Sequence, residues 1–207
     1  MTSKFKKMAV DCETLVAALK AKFADDIVRL DVREHRGGSL NEVQSRDLWI
    51  EISRTAFRPF LDFLFEYDFV DFHVISGDDV GIADAVQTQT QSQAQDQNPD
   101  GQNQEKPQED SVLLHYHFSL FQRSRCGRMG VTLSVRVPKG DLSVPSIFDL
   151  LPGSEYSERE MHEMLGVEFV GLPNSALVFL PEDWNEEIKP WRRDGVGPAL
   201  EALRELS

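Results

Sequence analysis

The stretch of sequence that decides the fold is VLLHYHFSL, residues 112–120. Its apolar side chains occupy every second position, at Val112, Leu114, Tyr116, Phe118 and Leu120, and the positions between most of them are polar. A period of two is typical of a β-strand that buries one face. The stretch therefore predicts one strand of a sheet with an apolar and a polar side.

The same period recurs in four other segments, which predict four further strands. These segments are Val28 to Val32, Leu48 to Ile52, Val70 to Val74 and Met129 to Val137. We expect the strands that flank residues 84–110 to pair with each other as a hairpin. Arg36-Gly37-Gly38 and Ser124 to Gly127 have the composition of turns within the other strand pairs.

Two segments instead show the spacing of amphipathic helices. Their apolar positions are Leu15, Val16, Leu19 and Phe23 in the first, and Phe57, Phe60, Leu61 and Leu64 in the second. The order helix-strand-strand-helix-strand-strand-strand predicts a two-layer α+β domain over residues 1–138. It would hold a five-stranded, largely antiparallel sheet covered by two helices.

One internal segment has a different composition. Residues 84–110 are rich in Gln, with Thr, Ser, Ala, Asn and Asp, and they offer nothing whose burial would offset the entropy of ordering the chain. We predict a disordered loop in place of a hairpin turn. Such an insertion is tolerated because the entropy of loop closure grows only logarithmically with length.

Composition also excludes several classes of function. The net charge is -13 over 207 residues, which argues against binding to nucleic acid or to anionic lipid. No stretch approaches the roughly 20 apolar residues that span a bilayer, and the first residues lack the apolar run of a signal peptide. We therefore expect a cytoplasmic protein. Cys12 and Cys126 are too few for a disulfide framework or a four-thiolate metal site within this chain.

The C-terminal part of the chain, residues 139–207, has a different character. Ser157 and Glu160 have the spacing of a capping box and predict a short helix over residues 157–165, which Gly166 would end. The following residues contain aromatic, proline and charged side chains with little regular period. Such a composition is typical of a surface ordered against a partner. An extension folded back on its own domain is the alternative.

Several motifs in this part occur in a specific order. They are YSEREMHEMLGVEF at 156–169, GLP at 171–173, LPEDW at 180–184 and PWRRD at 190–194. Together they resemble the signature of the 30 kDa-type subunit of respiratory complex I. The related small subunits of energy-converting, membrane-bound [NiFe] hydrogenases share that signature. The matching positions are Glu158, Arg159, Glu160, Glu163, Gly166, Pro181, Asp183, Trp184, Pro190, Arg192, Arg193 and Asp194.

The resemblance implies a non-catalytic subunit of the peripheral arm of an oxidoreductase complex. In this family the C-terminal segment wraps on a large subunit, of the 49 kDa type in complex I or of the [NiFe] type in hydrogenases, near iron–sulfur subunits. The resemblance implies no cofactor in this chain. It also implies a cytoplasmic location, with only indirect contact to the cell membrane.

Within this segment we expect Trp184 and Trp191 to act as apolar anchors on the large subunit. Arg192, Arg193 and Asp183 would add charge-assisted contacts, since desolvated arginine pairs at an interface contribute more than exposed charges. The matching positions and Trp191 thus form the predicted docking residues.

Three departures from the family pattern favour a hydrogenase-type or other ferredoxin-linked relative over a quinone-reducing one. The usual Gly-His-Pro is replaced by Gly171-Leu172-Pro173, and the arginine pair that follows it is replaced by Ser175-Ala176. The chain also stops soon after Asp194.

Two other classes of function stay open at the level of sequence. By alternation His73, His115 and His117 share the polar side of the sheet, where three imidazoles could bind zinc or iron in a metal-dependent hydrolase or oxygenase. His162-Glu163 lacks the second histidine of a zinc-protease motif, because Gly166 occupies that position. The third class is a regulatory adaptor that binds through the Gln-rich loop.

Overall fold

A computed structural model describes residues 12–37, 42–81, 110–120 and 129–198. It contains three α-helices and seven strands within these ranges. In chain order they are α1 Cys12–Phe23, β1 Ile27–Gly37, β2 Glu42–Ile52, α2 Phe57–Tyr67, β3 Val70–Val80, β4 Ser111–Leu120, β5 Met129–Pro138, β6 Ser143–Pro145, α3 Glu155–Leu165 and β7 Glu168–Val170.

The main sheet has five strands in the order β1-β2-β5-β4-β3. Neighbouring strands are antiparallel except for β2 and β5, which run parallel. The predicted hairpin is present, since Val70 pairs with Leu120 and Val80 pairs with Ser111. The predicted α+β fold with a largely antiparallel five-stranded sheet is therefore confirmed.

The predicted helices α1 and α2 cover the apolar face of this sheet. Leu15 and Leu19 of α1 are fully buried, as are Phe57 and Phe60 of α2. The Phe57 ring lies 4.8 Å from the ring of Tyr116 in β4, which packs α2 against this strand. The opposite face carries the polar residues that alternate with these apolar positions.

The edge strand β1 departs from the simple pattern. Val28 and Val32 are exposed although their alternation predicted a buried face. A β-bulge between Ile27 and Arg29 breaks the alternation, and among the described strands β1 has a neighbour on one side only. Strand β1 also continues through Gly37, which we predicted to lie in a turn. Gly38, residues 84–109 and the predicted turn at residues 124–127 lie outside the described residues.

Helix α3 packs against β3 on the apolar side of the sheet. Its Met161, Met164 and Leu165 belong to the same buried cluster as the residues of α1 and α2. The chain reaches α3 through β6 and returns through β7, which pairs in parallel with β6. The C-terminal segment thus extends the core of the domain.

The start of α3 corrects one prediction. The helix begins at Glu155, two residues before the predicted capping box, and its N-cap residue is Ser154 instead of Ser157. A 3-10 turn over Pro152–Ser154 leads directly into the helix, so Ser157 already lies in its first turn. The predicted end is confirmed, because Gly166 is left-handed, with φ +80°.

Candidate functional site

Glu163 on α3 holds the loop that follows β7. Its buried carboxylate accepts hydrogen bonds from the backbone N–H groups of Val178, Phe179 and Leu180, with shortest distances of 3.2, 3.1 and 2.5 Å. One carboxylate thereby satisfies three consecutive backbone donors. Hydrogen bonds to a charged acceptor are about twice as strong as neutral ones, so this side chain is a major attachment point of the loop.

Arg159 fastens the same loop one turn earlier on α3. Its guanidinium donates to the carbonyl oxygens of Ala176 at 2.8 Å and Leu177 at 3.2 Å. Glu155 lies 3.4 Å away and balances its charge. Arg159 and Glu163 therefore fix residues 176–180 along one side of the helix.

Glu158 binds the opposite side of α3 to the chain that precedes it. It is fully buried and accepts from the Ser146 hydroxyl at 2.6 Å and from the Ile147 N–H at 2.7 Å. Burial raises the pKa of Glu158, and these two hydrogen bonds oppose that increase. The Glu158 carboxylate thus makes its hydrogen bonds within this chain, away from the surface.

The PWRRD motif caps the C-terminal end of α3. The backbone N–H of Trp191 donates to the carbonyl oxygen of Met164 at 3.0 Å. The Arg192 guanidinium donates to the carbonyl oxygen of Leu165 at 3.1 Å. Both oxygens belong to the last turn, where a helix offers no internal donor. Arg192 also pairs with Asp194. The motif therefore brings the chain back into contact with the C-terminal end of α3.

Three aromatic side chains stay exposed on this fastened segment. Tyr156 is 65% exposed, Phe179 is 59% exposed and Trp191 is 44% exposed. The Arg159 guanidinium lies 5.5 Å from the centre of the Tyr156 ring. Aromatic residues are enriched among the residues that contribute most to binding at protein interfaces. We call Tyr156, Phe179 and Trp191 the aromatic surface.

The predicted docking residues differ in how far they reach solvent. Three are buried in the chain: Glu158, Glu163 and Arg192. Six are half-buried: Arg159, Glu160, Gly166, Trp184, Pro190 and Asp194. Four are exposed: Pro181, Asp183, Trp191 and Arg193. The predicted docking residues thus include some that stabilise the segment from inside and some that are exposed at its surface.

Two of the predicted docking residues, Arg192 and Trp184, make contacts within the chain that the sequence did not predict. Arg192 was expected to contact the large subunit, but its side chain is buried against α3 and Asp194, where it satisfies helix carbonyl oxygens. Trp184 is half-buried and donates its indole N–H to the carbonyl oxygen of Ile188 at 3.0 Å. Sequence reasoning gave no docking role to Tyr156 or Phe179. The sequence signal that could have identified both is an aromatic residue that does not belong to a regular apolar pattern.

The three histidines lie on the polar face, where hydroxyl groups bind them. Their hydrogen bonds pair His73 with Ser119, His117 with Ser76 and Thr132, and His115 with Ser134. Burial lowers the pKa of His115 and of His117. Among the described residues, no group of three His, Cys, Asp or Glu side chains has the arrangement of a metal site. The geometry does not favour the metal-dependent enzyme.

None of the helices in the described ranges is long and apolar enough to span a membrane.

Comparison with known proteins gives two relatives by sequence. The chain is 37% identical to a subunit of the NADH-quinone oxidoreductase of Herpetosiphon aurantiacus over 68 residues, which is 33% of this chain and 37% of that protein. It is 30% identical to formate hydrogenlyase subunit 5 of Escherichia coli over 94 residues, which is 45% of this chain and 16% of that protein. The matched region thus spans well under half of either relative.

Two solved structures share the fold. A trypsin-resistant fragment of Nqo5, residues 1–134, aligns with a TM-score of 0.50 and 18% identity, covering 78% of this chain and 97% of the fragment. A chain of a membrane-bound sulfane sulfur reductase, an archaeal respiratory membrane complex, aligns with a TM-score of 0.61 and 19% identity. This second alignment covers 91% of this chain and 86% of the other.

The family described as respiratory-chain NADH dehydrogenase, 30 Kd subunit, matches residues 50–199. This range runs from β2 through the aromatic surface and includes every motif that carried the resemblance. It covers most of the chain, and both comparisons of structure agree with the fold. The chain therefore belongs to the family of the 30 kDa subunit of the respiratory-chain NADH dehydrogenase.

Proposed function

We propose that this chain is a non-catalytic subunit of the peripheral arm of a complex-I-like oxidoreductase, needed to assemble and stabilise the large electron-transfer subunit. The observation that carries the proposal is the aromatic surface on a segment that its own hydrogen bonds hold in place. A pre-ordered surface loses little conformational entropy on binding, so more of the contact energy contributes to affinity.

The partner in this proposal is the large subunit, of the 49 kDa type or the [NiFe] hydrogenase type, with iron–sulfur subunits beside it. Support comes from family membership and from relatives named as subunits of a quinone oxidoreductase and of formate hydrogenlyase. In this account the chain lies on the cytoplasmic side of the cell membrane and meets the membrane through the complex alone.

The proposal also states that this chain holds no cofactor and no active site of its own. Elemental analysis of the purified chain tests this part, with less than about 0.1 equivalent of iron or zinc expected, since a resident metal centre would be close to stoichiometric. One equivalent of either metal would contradict it and revive the histidine site.

Co-purification from the native host tests the docking part. A tagged chain should recover the large subunit, and the variant with Tyr156→Ala, Phe179→Ala and Trp191→Ala should recover much less. Deletion of residues 86–109 should leave recovery unchanged, because the docking surface lies elsewhere. Loss of the complex on that deletion would favour the adaptor that binds through the Gln-rich loop.

A further inference from the structure

Lys139 lies at the centre of a charged cluster that joins three distant parts of the chain. Its ammonium nitrogen lies 2.6 Å from Asp79 Oδ1, 3.0 Å from Asp110 Oδ1 and 3.0 Å from Asp194 Oδ2. Arg192 completes the cluster, with its Nε 3.7 Å from Asp79 Oδ2 and an ion pair to Asp194. Two cations thus hold three carboxylates together.

Three members of the cluster are more buried than an ordinary surface ion pair, whereas the side chains of Asp110 and Asp194 are 42% and 29% exposed. Only 1% of the Asp79 side chain, 7% of Arg192 and 11% of Lys139 are exposed. Burial tends to lower the pKa of Lys139, but its bonds to the three carboxylates raise it above the ordinary value. Burial likewise acts to raise the pKa of Asp194, but the bonds from Arg192 and Lys139 hold it at about 2. Lys139 and Asp194 therefore stay charged at neutral pH.

Three residues of the cluster lie at the ends of neighbouring strands of the main sheet. Asp79 is near the end of β3, Asp110 immediately precedes β4, and Lys139 immediately follows β5. The Lys139 N–H also donates to the Asp110 carbonyl oxygen at 2.9 Å. These three residues form one end of the sheet, at the two points where residues 82–109 leave and rejoin it.

The C-terminal segment meets this end of the sheet at residues 192–194. Asp79 Oδ2 accepts from the Arg193 backbone N–H at 2.6 Å, while Asp194 binds Lys139. Arg193 directly follows Trp191 and Arg192, so the cluster fixes the backbone beside an exposed aromatic residue. By contrast, Glu163 and Arg159 bind the segment only to α3, which is itself part of it.

We propose that the cluster of Asp79, Asp110, Lys139, Arg192 and Asp194 is a latch that positions Trp191 and Arg193 for the partner subunit. Lys139 and Asp79 are then positioning residues, although they lie outside the C-terminal motifs. The proposal rests on the proposed docking function for its consequence, but the latch itself is a property of the isolated chain.

Loss of Lys139 should open the latch for an electrostatic reason. Three carboxylates would then share the site with Arg192 alone, and breaking a buried ion pair on one side leaves an uncompensated charge. The turn at residues 189–197 should open more often, while the sheet keeps its hydrophobic core. Lys139→Arg preserves the charge and should largely restore the latch.

Hydrogen exchange of the full-length chain tests the latch without any partner. In Lys139→Met, the backbone amides of residues 189 and 191–197 should exchange at least about tenfold faster than in the wild type, because the local opening of this turn becomes easier. Amides of β2, β4 and β5 should be unchanged. Lys20→Met, at an exposed position of α1, is the matched control. Unchanged exchange at 189–197, or equal acceleration throughout the sheet, would overturn the latch.

Binding to the large subunit tests the consequence. Lys139→Met and Asp79→Asn should weaken binding roughly tenfold or more although neither variant changes an aromatic residue, and Lys139→Arg should recover most of the loss. Faster exchange without weaker binding would overturn the positioning role. If the aromatic variants bind like the wild type while exchange responds as predicted, the proposed docking function fails and the latch stands.

Discussion

Gly77 of β3 approaches Leu165 of α3 so closely that a β-carbon on Gly77 would lie 2.5 Å from Leu165 Cδ1. The same β-carbon would lie 3.0 Å from Met161 Sδ. Both distances are shorter than ordinary van der Waals contacts, so a β-carbon at this position would force the side chains of Leu165 and Met161 to shift. The contact joins the C-terminal segment directly to the sheet.

Gly77→Ala should therefore displace α3 from the sheet. We expect the free energy of unfolding to fall by about 1–3 kcal/mol, the usual cost of overpacking a core. Gly140→Ala is the matched control, because a β-carbon there meets nothing within 4 Å. Urea denaturation of both variants checks the prediction. Equal stability of the two variants would show that Gly77 is not a close-contact position.

Glu163→Gln should loosen the loop at residues 176–180. The amide keeps one oxygen acceptor but turns a donor toward backbone N–H groups, and hydrogen bonds to a charged group contribute about 1.5–3 kcal/mol. We expect a loss of stability in this range and faster amide exchange at Val178, Phe179 and Leu180. Exchange measured by mass spectrometry or NMR checks it, with Glu182→Gln as an exposed control. Unchanged protection at these three amides would contradict the role given to Glu163.

Acidification should destabilise the protein through the histidines of the polar face. Burial lowers the pKa of His115 and His117 in the folded state, and the neighbouring His115 and His73 lower that of His117 further. In the unfolded chain the imidazoles titrate near about 6.5. As the pH falls through that value, the unfolded state binds protons that the folded state does not, so the free energy of unfolding decreases.

Urea denaturation between about pH 8 and pH 5.5 measures this effect. The wild type should lose stability over that interval, and the variant with His115→Gln and His117→Gln should show a flatter profile. Parallel profiles for the two proteins would mean that these imidazoles are not the groups that titrate.

The sheet and its two covering helices were predictable from sequence because periodicity reports directly on burial. Alternation at Val112 to Leu120 and helical spacing at Phe57 to Leu64 each reflect a single surface buried against the core. Edge strand β1 was harder, since the bulge after Ile27 shifts the pattern and no second strand in the described part of the chain pairs with it. Its exposed valines could not be distinguished from buried ones by period.

In the C-terminal segment, the short helix and its end at Gly166 were predictable from sequence, but the contacts that its charged residues make were not. The motif resemblance identified Glu163 and Arg192, yet nothing local in the sequence shows that their charges act on backbone groups about 15 and 27 residues away. Such contacts depend on the return path of the chain. For the same reason, the ion pair between Lys139 and Asp79 could not be predicted from sequence, because the two residues lie in distant parts of the chain.

The most direct test of the account is the affinity of the full-length chain for the purified large subunit of its complex. The variant with Tyr156→Ala, Phe179→Ala and Trp191→Ala should bind at least about 100-fold more weakly, since buried aromatic anchors often contribute 2 kcal/mol or more each. Val28→Ala with Val32→Ala, exposed apolar residues on the far edge of the sheet, should bind like the wild type. Wild-type affinity of the aromatic variant, with its fold intact, would contradict the central claim.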